Sequence, residues 1–169
     1  MGSQEVTDTA FGLFIAYLIP GLVALYGLPL ALPGAPGWAA AVGPDATASY
    51  GLFVLLQATA VGLAVSAVRW LVVDSLHHHT GVRPPAWDFA ALDRGAAGFE
   101  LLIHIHYRYY KFYANTVVAL VWAYAAGGYA TGWFGAAAYG PLAGLFFLAS
   151  RDALGKYYDR VGRLLGPAA

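Results

Sequence analysis

Three adjacent histidines, His77, His78 and His79, have the residue type that metal chemistry requires. Neutral imidazoles bind zinc and copper, and Asp74 precedes His78 by four residues, which suits a carboxylate that supports a metal ligand. Consecutive residues on a helix point about 100° apart, so a regular helix cannot aim all three rings at one ion. We therefore favour a polar segment beside a membrane that binds no ion. A zinc or copper site is the alternative, and no other cofactor is predicted.

A second group with possible chemistry is the row formed by Glu100, His104 and Arg108, spaced four residues apart. Such a row can relay a proton or respond to pH near a membrane surface, as part of a loop sensor. Opposite charges at this spacing also stabilise an exposed helix by a few tenths of a kcal/mol, which is the simpler interpretation. His106 falls on the apolar side of the same segment and is expected to pack. No catalytic residue is predicted, because the phosphate-binding, hydrolase and zinc-protease motifs are absent from the sequence.

The segment YRYYKFY, residues 107–113, mixes basic and aromatic side chains directly before an apolar stretch. Proteins that bind single-stranded nucleic acid use this mixture for stacking. The formal net charge of +0 argues against that partner, because no basic field would hold a polyanion. Tyrosine, tryptophan and basic residues also collect where a membrane meets water. The predicted contacts to lipid headgroups are Arg69, Trp70, Tyr107, Tyr109, Tyr110, Lys111, Lys156 and Tyr157.

Five uncharged polar residues fall within or beside apolar stretches: Gln57, Thr59, Ser66, Asn115 and Thr116. In a membrane such side chains form hydrogen bonds between helices, worth about 0.6 kcal/mol each on average. They can also line a pore that apolar constrictions close. Both interpretations are open on the sequence alone.

Composition indicates the environment in which these residues act. The chain is 60% hydrophobic and 11% charged, whereas soluble domains are roughly half apolar and about a quarter charged. A chain this short cannot bury so much apolar surface in its own core. We therefore expect a membrane protein. The absence of cysteine excludes disulfides and thiolate metal sites, and no positively charged N-terminal region marks a cleavable signal.

The apolar stretches predict an all-α fold: a four-helix transmembrane bundle that forms one domain over residues 1–169. Pro20 and Gly21 predict a kink in the first span, and Pro29 and Pro33 are expected to end it. An amphipathic cytoplasmic extension is predicted to precede the third span in one long helix. The spans cover about 11–32, 50–73, 112–129 and 133–150, with a cytoplasmic loop at 74–111 and a cytoplasmic tail at 151–169.

The distribution of positive charge predicts the orientation. All nine Lys and Arg residues fall in the middle loop with its flanks or in the tail. Because cytoplasmic loops are enriched in Lys and Arg, both termini are expected in the cytoplasm, with the chain passing several times through the inner or plasma membrane.

The functional hypothesis is a small oligomeric membrane protein, most concretely a channel, pore or membrane-perturbing effector gated through the cytoplasmic loop. The alternative is a non-conducting anchor or sensor subunit of a larger complex. A membrane enzyme that uses the histidine cluster ranks third. The expected partners are membrane lipids and either further copies of the chain or other subunits of a membrane complex.

Overall fold

The computed structural model describes residues 11–12, 14–31, 48–88, 90, 92–127, 130 and 132–165. Within these residues the chain forms helices and no strand, which confirms the predicted all-α class. The predicted end of the first span at Pro33, the first connector and both extreme termini lie outside the described residues.

Four helices make up the described fold, and three of them contain one wider π-helical turn. Helix α1 joins the π turn Phe14–Leu18 to Ile19–Ala31. Helix α2 runs over Ala48–Arg69, Trp70–Asp74 (π) and Ser75–His79. Helix α3 runs over Leu92–Leu102, Ile103–Tyr107 (π) and Arg108–Ala126, and α4 is Trp133–Leu165.

Helices α1 and α2 cross with their backbones in contact. A Cβ built on Gly21 would lie 1.8 Å from the Ala58 carbonyl oxygen, and one on Gly62 would lie 2.1 Å from that of Tyr17. Neither position therefore accommodates a side chain. Small residues at such a crossing let helices approach closely, as they do in membrane bundles.

Asn115 joins α3 to α1 beside Pro20. Proline has no N–H, so Pro20 removes one backbone donor from α1. The Asn115 Nδ2 donates to the carbonyl oxygen of Ala16, within the π turn that precedes Pro20, at 2.6 Å. Both Pro20 and Asn115 are fully buried at this contact.

Two prolines lie inside helices rather than at their ends. Pro29 was expected to help end the first span, but α1 continues through it to Ala31. Pro141 lies within α4, which joins the predicted fourth span and the predicted tail into one helix of 33 residues.

The main hydrophobic core lies where α2, α3 and α4 carry their polar and charged residues. We call it the polar-end core. Its buried members are Val73, Tyr110, Ala114, Ala153, Leu154, Tyr157, Val161 and Leu165. The segment after α2 closes over it, with the Asp88 N–H donating to the Leu165 carbonyl at 2.8 Å.

Two helices are long and apolar enough to cross a membrane, namely Ala48–His79 and Trp133–Leu165. Their most apolar windows have mean hydropathies of 2.0 and 1.3. The segment Phe14–Pro29 is apolar but shorter.

Candidate functional site

A cluster of buried polar side chains joins α2, α3 and α4 beside the polar-end core. We call it the polar cluster, and it consists of Arg69, Asp74, His77, Tyr110 and Ser150. Arg69 is 5% exposed and Tyr110 is 1% exposed, whereas His77 and Ser150 are inaccessible to solvent. Ionisable groups removed from water in this way need partners from within the protein.

The π turn of α2 explains how Arg69 and Asp74 meet. These residues are five positions apart, and a π-helix closes its hydrogen bonds over five residues, which brings such a pair onto one side. The Arg69 Nη1 lies 3.1 Å and 3.2 Å from the two carboxylate oxygens of Asp74. The Arg69 Nε has no hydrogen-bond partner among the described residues.

Tyr110 connects this ion pair to α3. Its hydroxyl donates to Asp74 Oδ1, and its ring lies under the Arg69 guanidinium with the Cζ 5.3 Å from the ring centroid. Burial and the hydrogen bond to Asp74 raise the pKa of Tyr110 above its usual value of 10.0. Tyr110 therefore keeps its proton and donates a hydrogen bond to the Asp74 carboxylate.

His77 connects α2 to α4. The hydroxyl proton of Ser150 goes to the Phe147 carbonyl at 2.8 Å, so the Ser150 oxygen accepts from His77 Nε2 at 2.9 Å. This assigns the proton of the neutral imidazole to Nε2. The buried Nδ1 has no hydrogen-bond partner within the described chain, and the ring packs against Phe147 with centroids 4.8 Å apart.

The polar cluster is suited to joining helices rather than to nucleophilic chemistry. A serine beside a histidine can act as a nucleophile when the histidine takes its proton. Here the Ser150 proton is bonded to a backbone carbonyl and both side chains are inaccessible. The pair therefore offers no accessible nucleophile in this arrangement.

The three adjacent histidines diverge. His77 bonds Ser150, His78 Nε2 lies 3.3 Å from the Tyr158 hydroxyl, and His79 Nδ1 lies 2.7 Å from the Ser75 carbonyl. Asp74, the expected supporting carboxylate, is bound to Arg69 and Tyr110 instead. Among the described residues no group of three or more His, Cys, Asp or Glu side chains has an arrangement that could hold a metal ion.

The row on α3 forms as its spacing predicts. His104 Nε2 lies 3.8 Å from Glu100 Oε1, and His104 Nδ1 lies 2.6 Å from Arg108 Nη2. Because Arg108 can only donate, the His104 Nδ1 is the acceptor of that bond. The three side chains are in contact, and their role as a sensor stays a prediction.

The predicted pore-lining residues do not share one face. Asn115 bonds Ala16 of α1, whereas Thr116 is buried and bonds the Phe112 carbonyl of its own helix. Thr59 is exposed and bonds the Leu55 carbonyl within α2, and Gln57 and Ser66 are half-buried. In the described part of a single chain these side chains line no common path.

The predicted headgroup contacts divide into two groups. Arg69, Tyr110 and Tyr157 are buried inside the protein, so the prediction of headgroup contact is wrong for these three. Their neighbours in the polar-end core occupy the space that lipid would need. The other five, Trp70, Tyr107, Tyr109, Lys111 and Lys156, are exposed or half-buried, and their contact with headgroups stays a prediction.

The chain was compared with models of protein families, with curated proteins and with solved structures, and no match was found.

Proposed function

We propose that this chain is a four-span membrane protein with both termini in the cytoplasm, acting as a non-conducting anchor or sensor subunit. The observation that carries the proposal is the exposure of its apolar helices. Only 22% of the most apolar window of α2 and 11% of that of α4 are buried within the chain. A core helix of a soluble protein is mostly buried, so these helices need an apolar solvent.

The distribution of charge supports the orientation. Polar and ionic contacts gather at one end of the helices. They include the Arg69–Asp74 pair of α2 and the Lys156–Asp152 pair of α4. The other end of α4 carries exposed aromatic residues such as Trp133 and Phe134. This asymmetry agrees with a cytoplasmic end rich in Lys and Arg.

The non-conducting form has more support than the pore. A pore requires polar groups or a constriction around a common axis. Asn115 instead bonds Ala16 of α1, and Thr116 bonds its own helix. The exposed polar side chains around the polar-end core, such as Asp152 and Lys156, would form the surface through which an anchor or sensor contacts another subunit.

The absence of native cysteine makes the orientation directly testable. Arg83→Cys and Ala130→Cys each introduce one thiol at an exposed position, before and after α3 respectively. In intact cells an impermeant maleimide should label Ala130→Cys and should label Arg83→Cys only after permeabilisation. The cysteine-free chain is the control. Labelling of both thiols in intact cells, or release of the protein by alkaline carbonate, would contradict the proposal.

Conduction is tested on the purified protein in liposomes. We expect no ion flux above that of empty vesicles from pH 5 to pH 8 at several applied potentials. Flux that scales with protein density and accompanies a ring-shaped oligomer would overturn the non-conducting form and favour the pore.

A further inference from the structure

A cleft lined by basic and aromatic side chains lies between the start of α1 and the middle of α3. We call it the basic cleft, and the residues on which the argument rests are Gly12, Tyr17, Tyr107, Arg108 and Lys111. Its volume is about 160 Å³. Ala16 and Ile103 complete an apolar wall, and among the described residues no acidic side chain is part of the lining.

Lys111 supplies the first positive charge of the cleft. Its Nζ lies 3.4 Å from the Tyr17 hydroxyl and 4.8 Å from the centroid of the Tyr107 ring. No carboxylate of the described residues lies within 4.0 Å of this ammonium. Aromatic rings partly desolvate the charge, and the described protein supplies no anion to compensate it.

Arg108 supplies the second positive charge, and two features fix its side chain. The His104 Nδ1 accepts a hydrogen bond from Arg108 Nη2 at 2.6 Å. Gly12 provides the other constraint, because a Cβ at this position would lie 2.2 Å from the Arg108 Nε. The guanidinium therefore lies against the backbone of the segment that begins α1, and only glycine leaves room for it.

We propose that the basic cleft binds a phosphoryl group, the part common to anionic phospholipid headgroups and to soluble phosphate esters. An ammonium, a guanidinium and a tyrosine hydroxyl from two helices surround one cavity, which suits an anion with several acceptor oxygens. The cleft lies where the apolar segment of α1 begins and directly before the apolar part of α3. That depth favours a lipid headgroup, and this choice of source rests on the proposed membrane location.

The test measures binding to the purified full chain in detergent micelles. Native mass spectrometry counts the phosphatidylglycerol retained per chain, with phosphatidylcholine as the comparison lipid. Inorganic phosphate and glycerol 3-phosphate, added to the chain in a non-ionic detergent that has no phosphoryl group, form the soluble arms, where binding is read as a rise in Tm. Lys111→Gln should weaken phosphoryl binding about fivefold, the value expected for one basic contact at a membrane surface. Arg163→Gln, which removes an exposed basic side chain near the end of α4 outside the cleft, should change it by less than twofold.

Gly12→Ala tests the shape of the cleft without changing charge. The added methyl group must displace the Arg108 side chain, so binding should fall while the net charge is constant. Gly155→Ala, at a helical glycine with no atom within 4 Å of the added Cβ, is the matched control. The Tm of each variant in phosphatidylcholine alone shows whether it is folded, and Tyr17→Phe replaces Gly12→Ala if that variant unfolds.

Retention of phosphatidylglycerol without an effect of the soluble anions would identify a lipid site. A Tm rise with soluble phosphate that Lys111→Gln abolishes would identify a soluble phosphate ester as the source. Equal losses for Lys111→Gln and Arg163→Gln, or no preference for any phosphoryl compound, would overturn the proposal. These outcomes do not depend on the labelling of Ala130→Cys. A failure of the proposed phosphoryl site can therefore be distinguished from a failure of the proposed membrane topology.

Discussion

Removal of the Asp74 carboxylate is predicted to be among the most damaging single changes in the polar cluster. In Asp74→Ala the Arg69 guanidinium, whose side chain is 6% exposed, would lose its ion-pair partner while still buried. Breaking a buried pair from one side costs about 3–5 kcal/mol, because the remaining charge is uncompensated. The Asp74 side chain is itself 15% exposed, so water can partly replace it, and we expect the lower end, about 3 kcal/mol.

The chain contains a matched control for this prediction. Asp152 pairs with Lys156 at 2.6 Å, but their side chains are 62% and 55% exposed. Asp152→Ala should therefore cost only about 0.3–0.5 kcal/mol. The two substitutions remove the same carboxylate from an ion pair, and they differ mainly in burial.

The assay is the free energy of unfolding in mixed micelles, obtained by titration with a denaturing detergent and followed by circular dichroism. Asp74→Ala should shift the equilibrium constant for unfolding more than a hundredfold, given about 1.4 kcal/mol for each factor of ten. The double variant Arg69→Met/Asp74→Leu should recover most of the loss, because apolar side chains of similar volume can replace a buried ion pair. The reasoning would be refuted if Asp74→Ala cost no more than Asp152→Ala.

Three further predictions concern other parts of the molecule. Ser150→Ala leaves the buried His77 Nε2 without its partner and should cost about 1–3 kcal/mol in the same unfolding assay. Gly62→Ala places a methyl group against the backbone of α1 and should cost about 1–3 kcal/mol, whereas Gly140→Ala, which meets open space, should be neutral or slightly stabilising. Burial and two basic side chains of α4 lower the pKa of His106, so the unfolded chain takes up its proton more readily than the folded one. The stability that neutral His106 contributes should be fully present above the ordinary histidine pKa of 6.5 and should fall as the pH drops below it. The difference in Tm between pH 7.5 and pH 5.5 should therefore be smaller in His106→Gln than in the unchanged chain.

Much of the fold could be predicted from the regular spacing of residues along an α-helix. The predicted all-α class depends on long apolar stretches, and the contact between His104 and its neighbours depends on a spacing of four residues. Asn115 was expected to bond between helices or to line a pore. The bond to the Ala16 carbonyl of α1 is of the first kind.

The polar cluster could not be predicted in the same way. Arg69 and Asp74 are five residues apart, a spacing that an α-helix separates and a π turn brings together. No simple sequence pattern marks such a turn. Ser150 lies 73 residues from its partner His77, so only the packing of α4 against α2 could identify it. The same limit explains why Tyr110 resembled an interfacial tyrosine, although its ring is buried.

In the proposed membrane location, the continuity of α4 would link the bilayer to the polar end of the protein. A helix of 33 residues is about 50 Å long, whereas the hydrocarbon core of a membrane is about 30 Å thick. A long apolar helix responds to a thinner bilayer by tilting. The helix passes through Pro141 without a break, and its last turns pack in the polar-end core. In the proposed membrane location, a tilt imposed by bilayer thickness would therefore turn the cytoplasmic end of α4 through the same angle, and would strain the bonds that join α4 to the end of α2, such as that between Ser150 and His77.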